Sequence, residues 1–229
     1  MSDRDPLRQR LGAGLAALQL DLPAAVVERL LDYVDLLHRW NTTYNLSAVR
    51  DPAEMITRHL LDSLAIVPYV TGATLADLGT GAGLPGIPLA IVAPERAVSL
   101  VDSNGKKTRF LRAAVRELGL ANVRVVESRV EALEGRYDCI TARAFASLAD
   151  MLGWGGDLLA PEGTWLALKG RFPQDELAGV PAGLRVESIV PLRVPGLDAE
   201  RHVVVIRRSD SPSDGMQLGR NGTGSVASP

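Results

Sequence analysis

The segment richest in chemistry is Leu75-Ala76-Asp77-Leu78-Gly79-Thr80-Gly81-Ala82-Gly83-Leu84-Pro85-Gly86, which joins a short apolar run to an apolar helical stretch. Glycines at such a turn let the backbone bend sharply and come within contact distance of a ligand. The helix behind the turn offers N–H groups with no partner inside the helix. A strand, a glycine-rich turn and a helix in this order form a nucleotide-type site at the carboxyl end of a sheet. The spacing admits two kinds of ligand. Gly81, Gly83 and Gly86 match the dinucleotide fingerprint, and Asp102 stands 19 residues after Gly83, where an acid can meet a ribose. Asp77, two residues before Gly79, argues the other way. A carboxylate at the strand end opposes a pyrophosphate and suits a ligand that carries positive charge.

The elements that must position this loop follow from periodicity. Residues 21–50 read as a helix, with Val27, Leu30, Leu31, Val34 and Leu37 on one face. A second helix is expected from Asp51, with Asp51 as cap, Pro52 in the first position and Glu54 reaching back, running through Ile56, Leu60, Leu64 and Val67. From Leu75 the pattern changes to short apolar runs at Thr74–Leu78, Ala97–Val101, Val123–Val126, Tyr137–Thr141 and Thr164–Leu168. Helical stretches lie between them at Gly86–Val92, Lys106–Leu118 and Leu148–Leu159. That alternation indicates an α/β fold with a parallel sheet covered on both faces. Leu184–Val194 and His202–Arg208 have no helix between them and read as an antiparallel pair closing the sheet. The expected organisation is a helical extension over residues 1–72, a ligand-binding core over 73–208 and a disordered tail over 209–229, which is rich in Ser, Gly, Pro and Asn.

Composition narrows the function classes. The 229 residues carry a net charge of −2, so any nucleic-acid affinity must come from a local patch. The single cysteine, Cys139, allows no intrachain disulfide and fits a reducing compartment. No apolar run is long enough to span a bilayer, and the N-terminus has no signal-peptide core, so the expected location is the cytoplasm. Three histidines form no metal-ligand or Ser/His/Asp pattern, and no metal is expected. His59, Asp62 and Ser63, at helical spacings of three and four, make the best polar cluster outside the loop, open to a structural role or one at a substrate mouth.

The string Asp-x-Gly-x-Gly-x-Gly resembles the first motif of Rossmann-like methyltransferases, whose sheet also closes with a reversed strand. The stretch from Asp77 to Leu89, DLGTGAGLPGIPL, is similar to the signature of the glucose-inhibited division protein B family, guanine-N7 methyltransferases of small-subunit ribosomal RNA. Further segments stand in the family order. They include Trp40-Asn41 with Asn45-Leu46, His59 to Leu64, Val101-Asp102-Ser103 with Gly105-Lys106-Lys107, Ser128 to Glu131, Ala142 to Ala146, and Leu168-Lys169-Gly170. Ala82 and Lys107 depart from the commoner Pro and Arg. The resemblance implies a class I Rossmann-like fold with a mostly parallel seven-stranded sheet and a reversed last strand. It implies S-adenosylmethionine as cofactor, held by Gly79, Leu84, Asp102, Val130, Glu131 and Arg143. The implied partner is 16S ribosomal RNA or the small-subunit particle, with no membrane and a monomer favoured. Guanine N7 has a lone pair and no proton, so methyl transfer to it requires positioning rather than a general base.

Lys106, Arg109, Arg112 and Arg116 recur close to every third residue and form a basic stripe on one helix. Residues 106–171 hold 11 Lys+Arg and 8 Asp+Glu, a local balance of +3. Such a stripe is either a solvated face or a phosphate contact. The resemblance favours RNA, with Lys169 extending the surface and His59, Asp62 and Ser63 near the substrate.

Overall fold

The computed structural model describes residues 4–143 and 147–209. The tail at 210–229, and Ala144 to Ala146 of the expected motif, lie outside the described residues. Seven strands form one sheet in the order β3-β2-β1-β4-β5-β7-β6. They are β1 (Thr74–Leu78), β2 (Ala97–Asp102), β3 (Val123–Glu127), β4 (Tyr137–Arg143), β5 (Leu159–Lys169), β6 (Leu184–Pro191) and β7 (His202–Arg208). The first five run parallel; β7 is antiparallel to both β5 and β6. Strand order reverses between β1 and β4, and ligands bind beyond the carboxyl ends at such a switch point.

Four helical pieces precede the sheet: α1 (Asp5–Ala17), α2 (Ala24–Tyr44), α3 (Pro52–Met55) and α4 (Asp62–Leu64). Three helices follow within it: α5 (Gly86–Val92), α6 (Gly105–Glu117) and α7 (Leu148–Gly155). The N-terminal helices share a continuous apolar core with one sheet face, where Leu11, Leu30 and Leu37 join Leu75, Ile87 and Leu100. A second cluster, built around Trp165, Met151 and Ile140, fills the other face. No helix is long and apolar enough to cross a membrane.

Several elements depart from the periodicity. Helix α1 was not expected, because Gly12 and Gly14 interrupt its pattern. Gly14 is there for close packing, since a Cβ on it would lie 2.3 Å from Leu61 Cδ1. Helix α2 stops at Tyr44, short of 50, where Asn45 turns left-handed with φ 51°. The regular helix expected after Asp51 is broken by a π turn over Ile56–Leu61. That segment is enclosed, with every residue from Met55 to Ile66 buried except Arg58, so it keeps no solvent face. Asp51 does cap, accepting from Ala53 N at 3.0 Å, but Glu54 pairs with Arg58 rather than reaching back. Helix α7 ends at Gly155 instead of Leu159, and β5 begins at Leu159 rather than Thr164. Between Leu159 and Thr164 the pairing with β4 slips. Pro161, which has no N–H for the ladder, lies in that slip.

Candidate functional site

The glycine loop is held shut from within. Asp77 is fully buried, and its Oδ2 accepts from Thr80 Oγ1 at 2.5 Å and Gly86 N at 2.9 Å, while Oδ1 accepts from Thr141 Oγ1 at 2.9 Å. Burial pushes its pKa up to about 6 against the pull of those donors. The sequence suggested that this carboxylate faces a cationic ligand. Instead all its described contacts are to the loop and to β4, so its charge acts from behind the loop.

The loop glycines divide by what surrounds them. A Cβ on Gly86 would lie 2.3 Å from Leu100 Cδ2 and 2.8 Å from Asp77 Oδ2, so this position serves close packing. Gly81 has φ 61° and open space where a Cβ would stand. Its N–H donates to Asp102 Oδ2 at 3.0 Å. Helix α2 also reaches the loop, through a buried Tyr33 hydroxyl that donates to Ala82 O at 2.8 Å. Sequence reasoning missed Tyr33, although its spacing of three from Leu30 and four from Leu37 places it on the buried face.

Beyond the carboxyl ends of β1, β2 and β4 opens a cleft of about 550 Å³. Five of the six expected cofactor residues line it: Gly79, Asp102, Val130, Glu131 and Arg143. The sixth, Leu84, is buried in the core behind the loop, with its N–H on Thr80 O. Ser128 and Arg129, of the same family segment as Val130, also line the cleft, as does Trp154, which the sequence did not single out. Asp102 ends β2 and is buried. Its Oδ1 accepts from Asn104 N at 2.9 Å and its Oδ2 also meets Lys107 Nζ at 3.4 Å. A carboxylate has about four lone-pair sites, so capacity remains for a ligand hydroxyl. The cap of α6 is Asn104, which accepts from the N–H groups of Lys106 and Lys107, so Asp102 is not used as the cap.

The expected cluster at His59, Asp62 and Ser63 is buried rather than presented to a large substrate. Asp62 receives Arg143 at 3.1 Å on one oxygen and Arg201 at 2.8 Å on the other. It therefore orients the guanidinium that lines the cleft. His59 Nε2 meets Ser47 Oγ at 2.7 Å. Burial, then the nearby Arg143 charge, lowers its pKa to about 4, so it is neutral at physiological pH. Lys169 is also held, at 2.7 Å from Glu176.

The basic stripe does come together. Lys106, Arg109, Arg112 and Arg116 are exposed and line one groove of about 930 Å³ beside α6. Arg112 pairs with Glu127 at 3.0 Å. The groove and the cleft meet at Asn104, which lines both. Among the described residues, no three His, Cys, Asp or Glu side chains are grouped to hold a metal.

A family model described as rRNA small subunit methyltransferase G matches residues 26–204. A ribosomal RNA small subunit methyltransferase G from Stenotrophomonas maltophilia is 60% identical over 198 residues, spanning 86% of this chain and 92% of its own. The protein of that name from Neisseria meningitidis serogroup C is 53% identical over 203 residues, spanning 88% and 98%. Solved structures show the same fold at low identity. TrmN from Thermus thermophilus aligns with a TM-score of 0.55 at 20% identity, over 73% of this chain and 53% of its own. A SAM-dependent methyltransferase from Aquifex aeolicus aligns with a TM-score of 0.51 at 20% identity, over 68% and 93%. Sheet order, glycine loop and relatives agree, and the chain belongs to the rRNA small subunit methyltransferase G family.

Proposed function

We propose that this protein methylates N7 of a guanine in 16S ribosomal RNA of the small subunit, with S-adenosylmethionine as methyl donor. The observation that carries the reading is the junction of a ligand-sized cleft at the sheet's switch point with a groove of exposed cations, shared at Asn104. Bound S-adenosylmethionine supplies an electrophilic methyl group on a sulfonium. The cleft's volume lies within the range typical of small-ligand sites. Asp102 is placed to accept ribose hydroxyls with its remaining lone pairs, and Val130 and Glu131 form the wall proposed for the adenine. The open side of Gly81 and the backbone of Gly79 leave room for close approach.

The chain's part in the chemistry is positioning and charge. N7 needs no deprotonation, which fits a cleft with no histidine among its lining residues, His59 being buried and bonded to Ser47. Asp62 fixes Arg143 so that its guanidinium keeps one orientation in the cleft. Asp77, ionised above about pH 6, adds a negative charge behind the loop that favours a cationic ligand over a pyrophosphate. Lys106, Arg109 and Arg116 offer the RNA its phosphate contacts.

The test is to map N7-methylguanine in total RNA from cells with and without this protein. One small-subunit site should lose its methyl group when the protein is absent. An unchanged map would reject the proposal.

A further inference from the structure

The groove beside α6 has a second wall that the basic stripe does not account for. Trp40, near the end of α2, lines it together with the cations. Tyr44, one turn on, stacks against Trp40 with ring centroids 5.1 Å apart and planes 29° from parallel. Phe110, fully buried under α6, meets Trp40 edge-on at 5.6 Å and fixes it from below. Both Trp40 and Tyr44 keep part of their surface in water. The turn beyond them is also pinned. Asn41 Nδ2 donates to Val49 O at 2.9 Å, and Arg50 holds Asn41 O and Asn45 Oδ1. Thus a partly exposed Trp40, backed by Tyr44 and Phe110, lines the same concavity as a row of cations.

The row fits a nucleic-acid backbone. Lys106, Arg109 and Arg116 make no ion pair among the described residues. From Lys106 to Arg116 the helix rises about 15 Å, room for more than one phosphate. Phosphates alone would leave the aromatic wall in water, whereas a base splayed from its stack would cover it. Base-on-aromatic stacking beside arginine is how single strands are held without sequence preference.

We infer that Trp40, backed by Tyr44, is a nucleotide-binding wall: an unpaired RNA base packs against it while the neighbouring phosphates lie on α6. The α2 helix thereby becomes part of the RNA surface, and the strand it holds leads past Asn104 into the cleft. This rests on the RNA reading of the groove given above.

The test uses two fluorescein-labelled probes, a 12-mer of uridine and an abasic 12-mer with the same phosphates. The parent should bind the uridine strand at least about fivefold more tightly, the lower end of the range for a base on an aromatic side chain. Trp40→Leu should abolish that preference while leaving abasic binding, the salt slope and S-adenosylhomocysteine affinity unchanged. Equal binding of the two probes by the parent, or equal weakening of both in the variant, overturns the inference. Should Trp40→Leu fail to melt cooperatively, parent protein labelled with 5-fluorotryptophan replaces it. Its Trp40 resonance should then shift with the uridine strand and not with the abasic one; an unmoved resonance overturns the inference. Joint charge reversal of Arg109, Arg112 and Arg116 separates the two readings. If it leaves uridine-strand affinity and salt slope untouched, the groove is not the RNA path and both fall. If it weakens binding while the Trp40 result is null, only the aromatic wall falls.

Discussion

Replacing Asp77 by Asn removes a fully buried charge but keeps the side chain's shape. Thr141 can turn its hydroxyl to accept from the new amide, so the contacts to Thr80 and Gly86 survive. Burial raises the carboxyl pKa from 3.8 to about 6 in the folded protein. Between those values the native state binds a proton that the unfolded chain has released. The associated stability is therefore complete below pH 3.8 and is lost as pH rises through about 6. A shift of roughly two units corresponds to about 3 kcal/mol. His59 runs the other way: its pKa falls from 6.5 to about 4, so its contribution is present above 6.5 and lost as pH falls through about 4. Both proteins carry His59, and its effect cancels in their difference. Urea unfolding at stepped pH should show the parent losing about 3 kcal/mol relative to Asp77→Asn between pH 3 and 7.5. The variant should also bind S-adenosylmethionine more weakly, with a smaller loss for S-adenosylhomocysteine, which lacks the sulfonium charge. Parallel stability curves, or equal losses for both ligands, would refute the reasoning.

Gly86→Ala forces a Cβ to within 2.3 Å of Leu100 Cδ2 and should lower stability by about 2–3 kcal/mol, read as a melting decrease of about 5–10 °C. Gly81→Val strains a backbone held at φ 61° but meets only Gly79 O at 3.9 Å, so it should lower stability, stay cooperatively folded and lose S-adenosylhomocysteine binding in calorimetric titration. Tyr33→Phe leaves the Ala82 carbonyl without its buried donor and should reduce stability by about 1–3 kcal/mol, with faster amide exchange at Gly81 and Gly83. S-adenosylhomocysteine at a hundred times its dissociation constant should stabilise the protein by about 2.7 kcal/mol, whereas NADH should give no shift in the same thermal scan.

Local signals carried most of the sheet. The five parallel strands and the closing antiparallel pair were readable because each apolar run is short and bounded by turn residues. The glycine loop and Asp102 were readable because their chemistry depends on spacing along the chain. What escaped depends on contacts between distant residues. Asp77 was read as facing a ligand, yet Thr141, 64 positions away, closes over it. Asp62 was left open between a structural role and a substrate contact, because Arg143 and Arg201 arrive from 81 and 139 positions away. The π turn has no periodic signature, since Met55 to Ile66 is buried almost all round. The stripe on α6 was legible from its spacing, but the aromatic ring that shares its groove was not, because Trp40 belongs to another helix.

The Asp62 clasp also sets an order of events during synthesis. The carboxylate leaves the ribosome long before its second partner, because Arg201 lies 139 residues downstream. At about 5–20 residues per second, that interval is roughly 7–28 s. Until it ends, the α4 segment cannot bury Asp62 with both guanidiniums in place. The N-terminal helices can meet Leu75, Ile87 and Leu100 earlier, but the core they share is completed only by Val203 and Val205 of β7. A chain shortened before Arg201 would keep every glycine of the loop and still lack the second guanidinium that holds Asp62.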